Sequence, residues 1–214
     1  MRLHLNRLLA PVTVLGPGRR IGVWVQGCTL ACRGCASEDT WDERGGLDCS
    51  IDDVADQVFG AVAKYGLTGV TLTGGEPFQQ ADAVVGLLAR VRAATVMGNE
   101  LDVLVFTGYT QAAAARISPE LFASADALVA GPYRRRRPGE GSLLASSNQE
   151  LVLRTELART RFAKWQPASR SRMQIAASGG DLFLVGLPAA GDLDRLAARL
   201  SERGVRLGGV SWQA

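Results

Sequence analysis

Short runs of β-branched residues alternate with amphipathic stretches along the first two-thirds of the chain. Residues 21–26 predict a strand, and apolar residues at helical spacing behind Ser50 predict a helix that ends at Gly66. The same alternation predicts further strands at residues 70–73, 101–106 and 127–130, and helices at 84–91 and 111–116. We therefore expect an α/β fold with parallel strands, right-handed crossovers and a ligand site in the loops that follow the strands.

The pattern changes after about residue 155. A polar, basic stretch leads to two predicted strands, residues 173–175 and 181–185. An amphipathic helix around residues 193–200 and a last strand near residues 205–212 follow. This order predicts a small α+β unit, so we expect a core of residues 1–155 and an extension of residues 156–214 that holds a linker and a β-β-α-β unit.

Composition places the chain among ordinary globular proteins. Of its 214 residues, 47% are hydrophobic, 21% are charged and four are cysteines, which excludes collagen-like, disordered and disulfide-scaffold classes. No apolar run approaches the ~18 residues that span a bilayer. The first 18 residues lack the apolar stretch of a secretory signal. We therefore expect a cytoplasmic protein with reduced cysteines and no membrane partner.

Charge and histidine content narrow the chemistry further. The formal charge of +3 is modest, so nucleic-acid binding is not expected, and His4 is the only histidine. A single histidine excludes histidine-rich metal sites and most His-based triads. Four consecutive arginines form a run within a Gly/Pro-rich loop, which is either a solvated loop or a docking site for an acidic partner or a phosphate. They are Arg134, Arg135, Arg136 and Arg137.

The most informative segment directly follows the first predicted strand. Cys28, Cys32 and Cys35 have the spacing C-x3-C-x2-C. Three clustered thiols either hold a metal centre or are reactive, and zinc is disfavoured because no histidine or nearby cysteine supplies a fourth ligand. They suit a 4Fe–4S cluster in which one iron has no protein ligand and can bind a substrate. We expect Cys49 to be a buried small hydrophobe outside the cluster.

A second motif follows the next predicted strand, about 40 residues after the cysteines. It consists of Gly74, Gly75 and Glu76, followed by Pro77. Paired glycines allow a ligand to approach the backbone closely, and the carbonyl and carboxylate oxygens can accept hydrogen bonds from an ammonium group. Alone, the motif is as compatible with a tight turn as with a ligand site. The two motifs in this order are more specific than either one.

Together, the motifs resemble the radical S-adenosylmethionine superfamily. Further segments resemble the activating proteins of anaerobic (class III) ribonucleotide reductases, in collinear order between about residues 14 and 154. These segments are Leu15-Gly16-Pro17-Gly18, Gly34, Thr40-Trp41, Phe106-Thr107-Gly108-Tyr109, residues 126–131 and residues 146–149. Arg33 stands where the resemblance leads us to expect a proline.

The resemblance implies a partial, open (β/α) barrel that holds one 4Fe–4S cluster and S-adenosylmethionine. It implies that one electron from the reduced cluster cleaves the cofactor to a 5′-deoxyadenosyl radical. It also assigns residues. The cluster is bound by Cys28, Cys32 and Cys35, and the cofactor's amino group by Gly74, Gly75 and Glu76. The residues near the cofactor are Thr107 and Asn148, and those that line its adenosyl side are Gly34 and Ala36.

The implied activity is that of an activating enzyme. Its radical removes a hydrogen atom from one glycine of a large partner, a glycyl radical enzyme, and its electron donor is of the flavodoxin or ferredoxin type. The alternative is a radical enzyme that modifies a small molecule or a peptide. A plain iron–sulfur electron-transfer protein is disfavoured, because it would not need the second motif. We expect the extension to cover the open side of the barrel or to shape a substrate site.

Overall fold

The computed structural model describes residues 1–94, 100–139, 143–165, 173–178, 181–188 and 191–206. The strands are β1 (Arg2–Val12), β2 (Arg20–Val25), β3 (Leu47–Ser50), β4 (Gly69–Gly74), β5 (Asp102–Thr107), β6 (Ala127–Ala130), β7 (Glu150–Leu153), β8 (Met173–Ser178) and β9 (Asp181–Gly186). The α-helices are α1 (Ile51–Tyr65), α2 (Ala81–Ala94), α3 (Gln111–Ile117), α4 (Pro119–Ser124), α5 (Glu156–Lys164) and α6 (Asp192–Glu202).

A mixed sheet of seven strands forms the centre of the fold, in the order β3-β1-β2-β4-β5-β6-β7. The prediction of parallel strands is confirmed for β2, β4, β5 and β6. It is incomplete elsewhere, because β1, β3 and β7 were not predicted and all three pair antiparallel with their neighbours. Within the described residues, β3 and β7 are free edges, so the sheet does not close into a barrel.

One face of the sheet is covered by helices. Residues Val54 and Val58 of α1 and Leu87 and Leu88 of α2 are buried against the alternate residues of β2, β4 and β5 that point to this face. The predicted start and end of α1 are confirmed. The Ser50 hydroxyl accepts from the backbone N–H of Asp52 at 3.1 Å, and Gly66 ends the helix in the left-handed conformation with φ of 58°.

The opposite face is covered by later parts of the chain. The hairpin of β8 and β9 packs there: Val185 is buried against Leu9, Val12 and Trp24. The side chain of Gln174 ties β8 to the end of β1 and the residue after it, accepting from Thr13 N at 2.9 Å and donating to Pro11 O at 2.7 Å. The hairpin therefore lies on the face of β1 and β2 that the helices leave uncovered.

Helix α5 also packs on this second face. Its Ala158 and Phe162 are buried with Leu104, Val129 and Leu143, so the stretch predicted only as polar and basic contains a helix. The predicted last strand falls almost entirely on residues 207–214, outside the described residues, and 205–206 are not in a strand. The division of the chain at residue 155 stays a prediction. Every helix in the described part of the chain is too short or too polar to cross a bilayer.

Candidate active site

The predicted site residues lie at one edge of the sheet because the carboxyl ends of its parallel strands meet there. Cys28 follows β2, and Gly75 follows β4. Thr107 is the last residue of β5, and Gly131 directly follows β6. The loops that carry the two sequence motifs are therefore neighbours across adjacent strands.

The cysteine loop, residues 28–35, is tied to its surroundings at its first two residues and is held by a turn at its end. The backbone N–H of Cys28 donates to Trp41 O at 3.1 Å, and the N–H of Cys35 donates to Cys32 O at 3.0 Å. The Gln79 side chain bonds Thr29 twice, accepting from its N–H at 3.1 Å and donating to its hydroxyl at 2.6 Å. The loop therefore has a defined shape fixed by hydrogen bonds to two other segments.

The three thiols of this loop are free, half-buried and close enough to influence one another electrostatically. Burial raises the pKa of the Cys28 thiol, and N–H groups of Leu30 and Ala31 that point at its sulfur oppose the shift. Burial likewise raises the pKa of the Cys35 thiol, against N–H donors from Ser37 and Trp41. The Ser37 N lies 3.4 Å from this sulfur.

This donor set fits an iron–sulfur cluster. Three thiols are the ligand type that such clusters use, and N–H groups directed at sulfur stabilise the thiolate form and tune the cluster's potential. In the described residues, no three or more His, Cys, Asp or Glu side chains are close enough together to hold a single metal ion. Ligands of a cluster bind different iron atoms, so their sulfurs need not converge on one point.

Both glycines of the second motif are required by packing within the chain itself. Gly74 has φ of 94°, and a Cβ there would lie 2.8 Å from Val25 O. A Cβ on Gly75 would overlap the carbonyl oxygen of Gly27. The structure therefore gives these glycines a packing role between the ends of β4 and β2, whereas ligand approach to their backbone stays a prediction.

Alanine at Gly75 is expected to destabilise the site, because its Cβ would push the loop after β4 away from the residue before Cys28. We expect a loss of about 1–3 kcal/mol in the free energy of unfolding, as for other overpacked positions. Urea denaturation measures it. Gly60→Ala is the matched control, since a Cβ there meets nothing within 4 Å. Equal stabilities of the two variants would contradict the packing argument.

Glu76 joins the loops that follow β4 and β5. Its side chain is 1% exposed. Oε1 accepts from Phe78 N at 3.0 Å and from the Thr107 hydroxyl at 2.8 Å, and Oε2 accepts from Gly108 N at 2.8 Å. Burial raises the pKa of the Glu76 carboxyl from 4.5 to about 7, and the three donors only partly oppose this shift. The carboxyl group therefore acts within the structure as a buried link between two loops.

The raised pKa of Glu76 predicts a pH dependence of stability. Between pH 4.5 and about 7, the folded protein keeps a proton that the unfolded chain releases, so the free energy of unfolding falls as the pH rises through this window. The loss is complete above about pH 7 and amounts to about 3 kcal/mol at most. Urea denaturation of cluster-free protein at pH 5 and pH 8 tests this. The drop should be absent in Glu76→Gln, and parallel pH profiles of the two proteins would contradict the assignment.

The remaining predicted residues, Asn148, Gly34 and Ala36, make fewer contacts with the two motifs. Asn148 lies in the turn before β7, and its Nδ2 donates to Pro132 O at 2.8 Å. Its Oδ1 is buried without a hydrogen-bond partner among the described residues, so an acceptor is left open for a ligand. Gly34 and Ala36 are exposed. Gly34 contacts the loop after β6, because a Cβ on it would lie 3.1 Å from Cδ of Arg135.

Two side chains that sequence reasoning did not select help to build the site. Leu30 packs over Gly108 so closely that a Cβ there would overlap its Cδ1. Gln79, besides bonding the cysteine loop, donates to the Tyr109 hydroxyl at 3.1 Å. Leucine and glutamine are not residue types that indicate a metal or catalytic site. Their positions beside the two motifs were the only available indication.

Comparison with known proteins identifies relatives of this chain. Residues 14–152 match the family described as 4Fe-4S single cluster domain. An anaerobic ribonucleoside-triphosphate reductase-activating protein from Enterobacteria phage T4 is 30% identical over 156 residues, covering 72% of this chain and 96% of that protein. A pyruvate formate-lyase-activating enzyme from Listeria monocytogenes is 38% identical over 86 residues, covering 39% of this chain and 35% of that enzyme.

Among solved structures, the crystal structure of QueE from Escherichia coli superposes with a TM-score of 0.39 and 18% identity, covering 51% of this chain and 54% of that one. The family match ends at residue 152. It therefore includes all the predicted site residues and leaves α5, the β8–β9 hairpin and α6 outside.

Proposed function

This chain belongs to the 4Fe-4S single cluster domain family and to the radical S-adenosylmethionine superfamily, and we propose that it activates a glycyl radical enzyme. One observation carries the proposal: the similarity extends over 96% of an activating protein rather than over a shared motif alone. That relative is named for an anaerobic ribonucleoside-triphosphate reductase, so a reductase of this class is the proposed partner. The chain is an enzyme of the oxidoreductase type, with an iron–sulfur cluster and S-adenosylmethionine as cofactors.

Cys28, Cys32 and Cys35 would hold the cluster. When bound, the reduced cluster supplies the electron that cleaves S-adenosylmethionine to methionine and a 5′-deoxyadenosyl radical, which removes a hydrogen atom from the substrate. The protein contributes the geometry. The hydrogen-bonded cysteine loop presents three thiolates, and N–H groups directed at two of the sulfurs favour the ligating form.

The cofactor would lie across the carboxyl ends of the parallel strands. Carbonyl oxygens of Gly74 and Gly75 are proposed to accept hydrogen bonds from its ammonium group. Glu76 is already bonded to Thr107 and Gly108, so we propose that it holds these loops in register as well as adding negative charge near that group. The open Oδ1 of Asn148 supports a cofactor contact at this residue.

The remaining two predicted residues, Gly34 and Ala36, are proposed to line the adenosyl side. The fold we propose for residues 1–155 is the partial, open barrel of the superfamily. Two observations support it. The loops that follow the four parallel strands lie at the same end of these strands, and the outer strands β3 and β7 are unpaired on one side within the described residues.

Anaerobic reconstitution tests the proposed function. The protein should take up about four irons per chain, and dithionite with S-adenosylmethionine should release 5′-deoxyadenosine. Adding an anaerobic ribonucleotide reductase should then produce a glycyl radical, visible by electron paramagnetic resonance. Failure to release 5′-deoxyadenosine would overturn the radical chemistry, whereas release without a glycyl radical would overturn the activating role.

A second candidate is a radical enzyme that modifies a small molecule or a peptide. One observation favours it: the hairpin of β8 and β9 lies beyond the family match and packs on the sheet face that carries Trp24. Residues on this face would line the inside of an open barrel, so the hairpin would narrow the space available to a large partner. Faster 5′-deoxyadenosine release with a small substrate than with any reductase would favour this candidate.

A further inference from the structure

The loop after β6 has a defined structure. We call residues 132–139 the arginine loop. The N–H of Arg137 donates to Arg134 O at 2.8 Å, which closes a turn. The turn before β7 holds the arginine loop by two hydrogen bonds. The Ser146 hydroxyl accepts from Arg134 N at 3.2 Å, and Ser147 N donates to Arg137 O at 2.8 Å. The four consecutive arginines are therefore presented by a fixed backbone, and all four are exposed.

The arginine loop contacts the cysteine loop. The stem of Arg135 lies against Gly34, which stands between the second and third cysteines, and a Cβ on Gly34 would be 3.1 Å from Cδ of Arg135. Arg33 and Gly34 are themselves exposed. The cysteine loop thus reaches the surface at the point where the arginine loop touches it.

Positive charge prevails at this point. None of the four guanidinium groups of the arginine loop is ion-paired within the described part of the chain. Four carboxylates follow the cysteine loop: Asp39 is paired with Arg7 and Asp42 with Arg44, whereas Glu38 and Glu43 have no ion pair among the described residues. They are fewer than the arginines at this surface. Five exposed arginines, counting Arg33 with the four of the loop, therefore form one surface beside the cysteine loop.

We propose that these five arginines form the docking surface for the electron donor, an acidic carrier protein with a one-electron group near its own surface. The proposal rests on the proposed function, because only a cluster-bearing enzyme needs such a donor. Electron transfer slows steeply with distance, so a donor must dock where the cysteine loop reaches the surface, and Gly34 is one of the exposed residues of that loop. The partner enzyme must reach the cofactor, which we place by Glu76, Thr107 and Asn148 with its adenosyl side at Gly34 and Ala36. The experiment therefore has to separate docking of the donor from docking of the partner enzyme.

Charge complementarity determines the kind of donor. A cluster of exposed arginines attracts an acidic partner and accelerates its productive encounter, with a strong dependence on ionic strength. Apolar anchors are not needed, because a donor has to leave after delivering its electron and a weak, charge-steered complex allows that. The surface therefore fits a transient acidic partner.

The experiment compares two reductants on the reconstituted holoenzyme. Arg134→Glu/Arg136→Glu reverses two charges and leaves Arg135 in contact with Gly34. Arg199→Glu/Arg203→Glu changes the net charge equally on exposed positions at the end of α6. The rate of 5′-deoxyadenosine release is measured with dithionite and with a limiting amount of purified, reduced acidic flavodoxin, each over a series of NaCl concentrations.

With flavodoxin, the loop variant should be slower than wild type by about tenfold or more at low salt, and it should lose most of the salt dependence. With dithionite, it should match wild type. The α6 variant should match wild type with both reductants, apart from the small effect of net charge.

Equal flavodoxin-driven rates in the two variants would overturn the proposal. An equal loss with flavodoxin and dithionite would also overturn it, because the loop would then shape the cofactor site. An unchanged flavodoxin rate with a lower yield of glycyl radical would assign the surface to the partner enzyme instead. Wild-type protein that releases no 5′-deoxyadenosine with dithionite would overturn the proposed function itself, which this design separates from the docking result.

Discussion

Alanine at Cys28, Cys32 or Cys35 is expected to lower the iron content from about four per chain to background and to abolish 5′-deoxyadenosine release. Each thiol is proposed to supply one of three protein ligands, and the hydrogen-bonded loop offers no other thiolate to replace it. The expected loss is complete rather than graded, since a cluster with two protein ligands has two irons open to solvent. Iron analysis, the visible absorption of the cluster and product formation measure it.

Cys49→Ala is the matched control for these variants. Cys49 lies on β3, opposite Leu3 of β1, and packs at the edge of the helix-side core. We expect full iron content and activity from Cys49→Ala, with a small loss of stability from the missing sulfur. Loss of the cluster in this variant would contradict the ligand assignment. Retention of the cluster in any of the three loop variants would contradict it equally.

The central parallel strands and the longest helices were predictable because their patterns are regular. Strands β2, β4, β5 and β6 are short runs buried on both faces, and α1 has a clear apolar face with Ser50 and Gly66 at its ends. Two of the three missed strands have weak patterns. Strands β3 and β7 have only four residues each, at the edges of the sheet. Such segments acquire their structure from the strand beside them rather than from their own composition.

Helix α5 was missed for a related reason. Only Ala158 and Phe162 of its nine residues are buried, so its sequence reads as polar. The tertiary environment determines its position, because Phe162 fills space beside Leu104 and Val129 on the second sheet face. A short helix with two buried residues gives little periodic signal.

Within the site, sequence reasoning predicted that the two motif loops and Thr107 lie together, but not how they contact each other. Order along the chain and strand ends were enough to place Cys28, Gly75 and Thr107 at one edge. The overlap that an alanine at Gly75 would make with Gly27 depends on the register of β2 against β4, which no local pattern encodes. The same holds for the bond between Glu76 and Gly108, since it joins segments about thirty residues apart.

Replacement of Arg20 is expected to have the largest effect on stability. Arg20 is the first residue of β2, so it lies at the end of the parallel strands opposite to the cysteine loop. Its side chain is 0% exposed and lies 2.8 Å from the carboxylate of Asp102. Its N–H groups also donate to Thr71 Oγ1 at 2.7 Å, to Val70 O at 2.8 Å and to Pro17 O at 3.0 Å. One guanidinium thus joins β2, β4, β5 and the segment before β2.

This arrangement explains part of the resemblance noted in the sequence. The segment Leu15-Gly16-Pro17-Gly18 wraps around Arg20, and a Cβ on Gly16 would lie 3.1 Å from Arg20 Cδ. Gly69 makes room on the other side, where a Cβ would overlap the guanidinium. The glycines of this segment therefore have a structural purpose far from the cysteine loop.

Arg20→Met is expected to lower the free energy of unfolding by about 3 kcal/mol or more, because it removes the ion-pair partner of a buried carboxylate and the donor of several buried carbonyls. Arg161 also pairs with Asp102, at 2.6 Å and from a half-buried position, so part of the charge stays compensated and the effect should lie near the lower end for broken buried pairs. Urea denaturation followed by circular dichroism measures it.

Arg2→Ala removes an arginine from an exposed pair with Asp48, whose side chains are 60% and 48% exposed, and is expected to cost at most about 1 kcal/mol. It serves as the control for loss of a surface ion pair. In Arg20→Met/Asp102→Asn, the buried charge is removed together with its partner, so this double variant should recover part of the loss. If Arg20→Met cost no more than Arg2→Ala, the guanidinium would not hold the sheet edge together. If the double variant were less stable than Arg20→Met, the carboxylate left without Arg20 would not be the cause, because its remaining pair with Arg161 would outweigh its cost of burial.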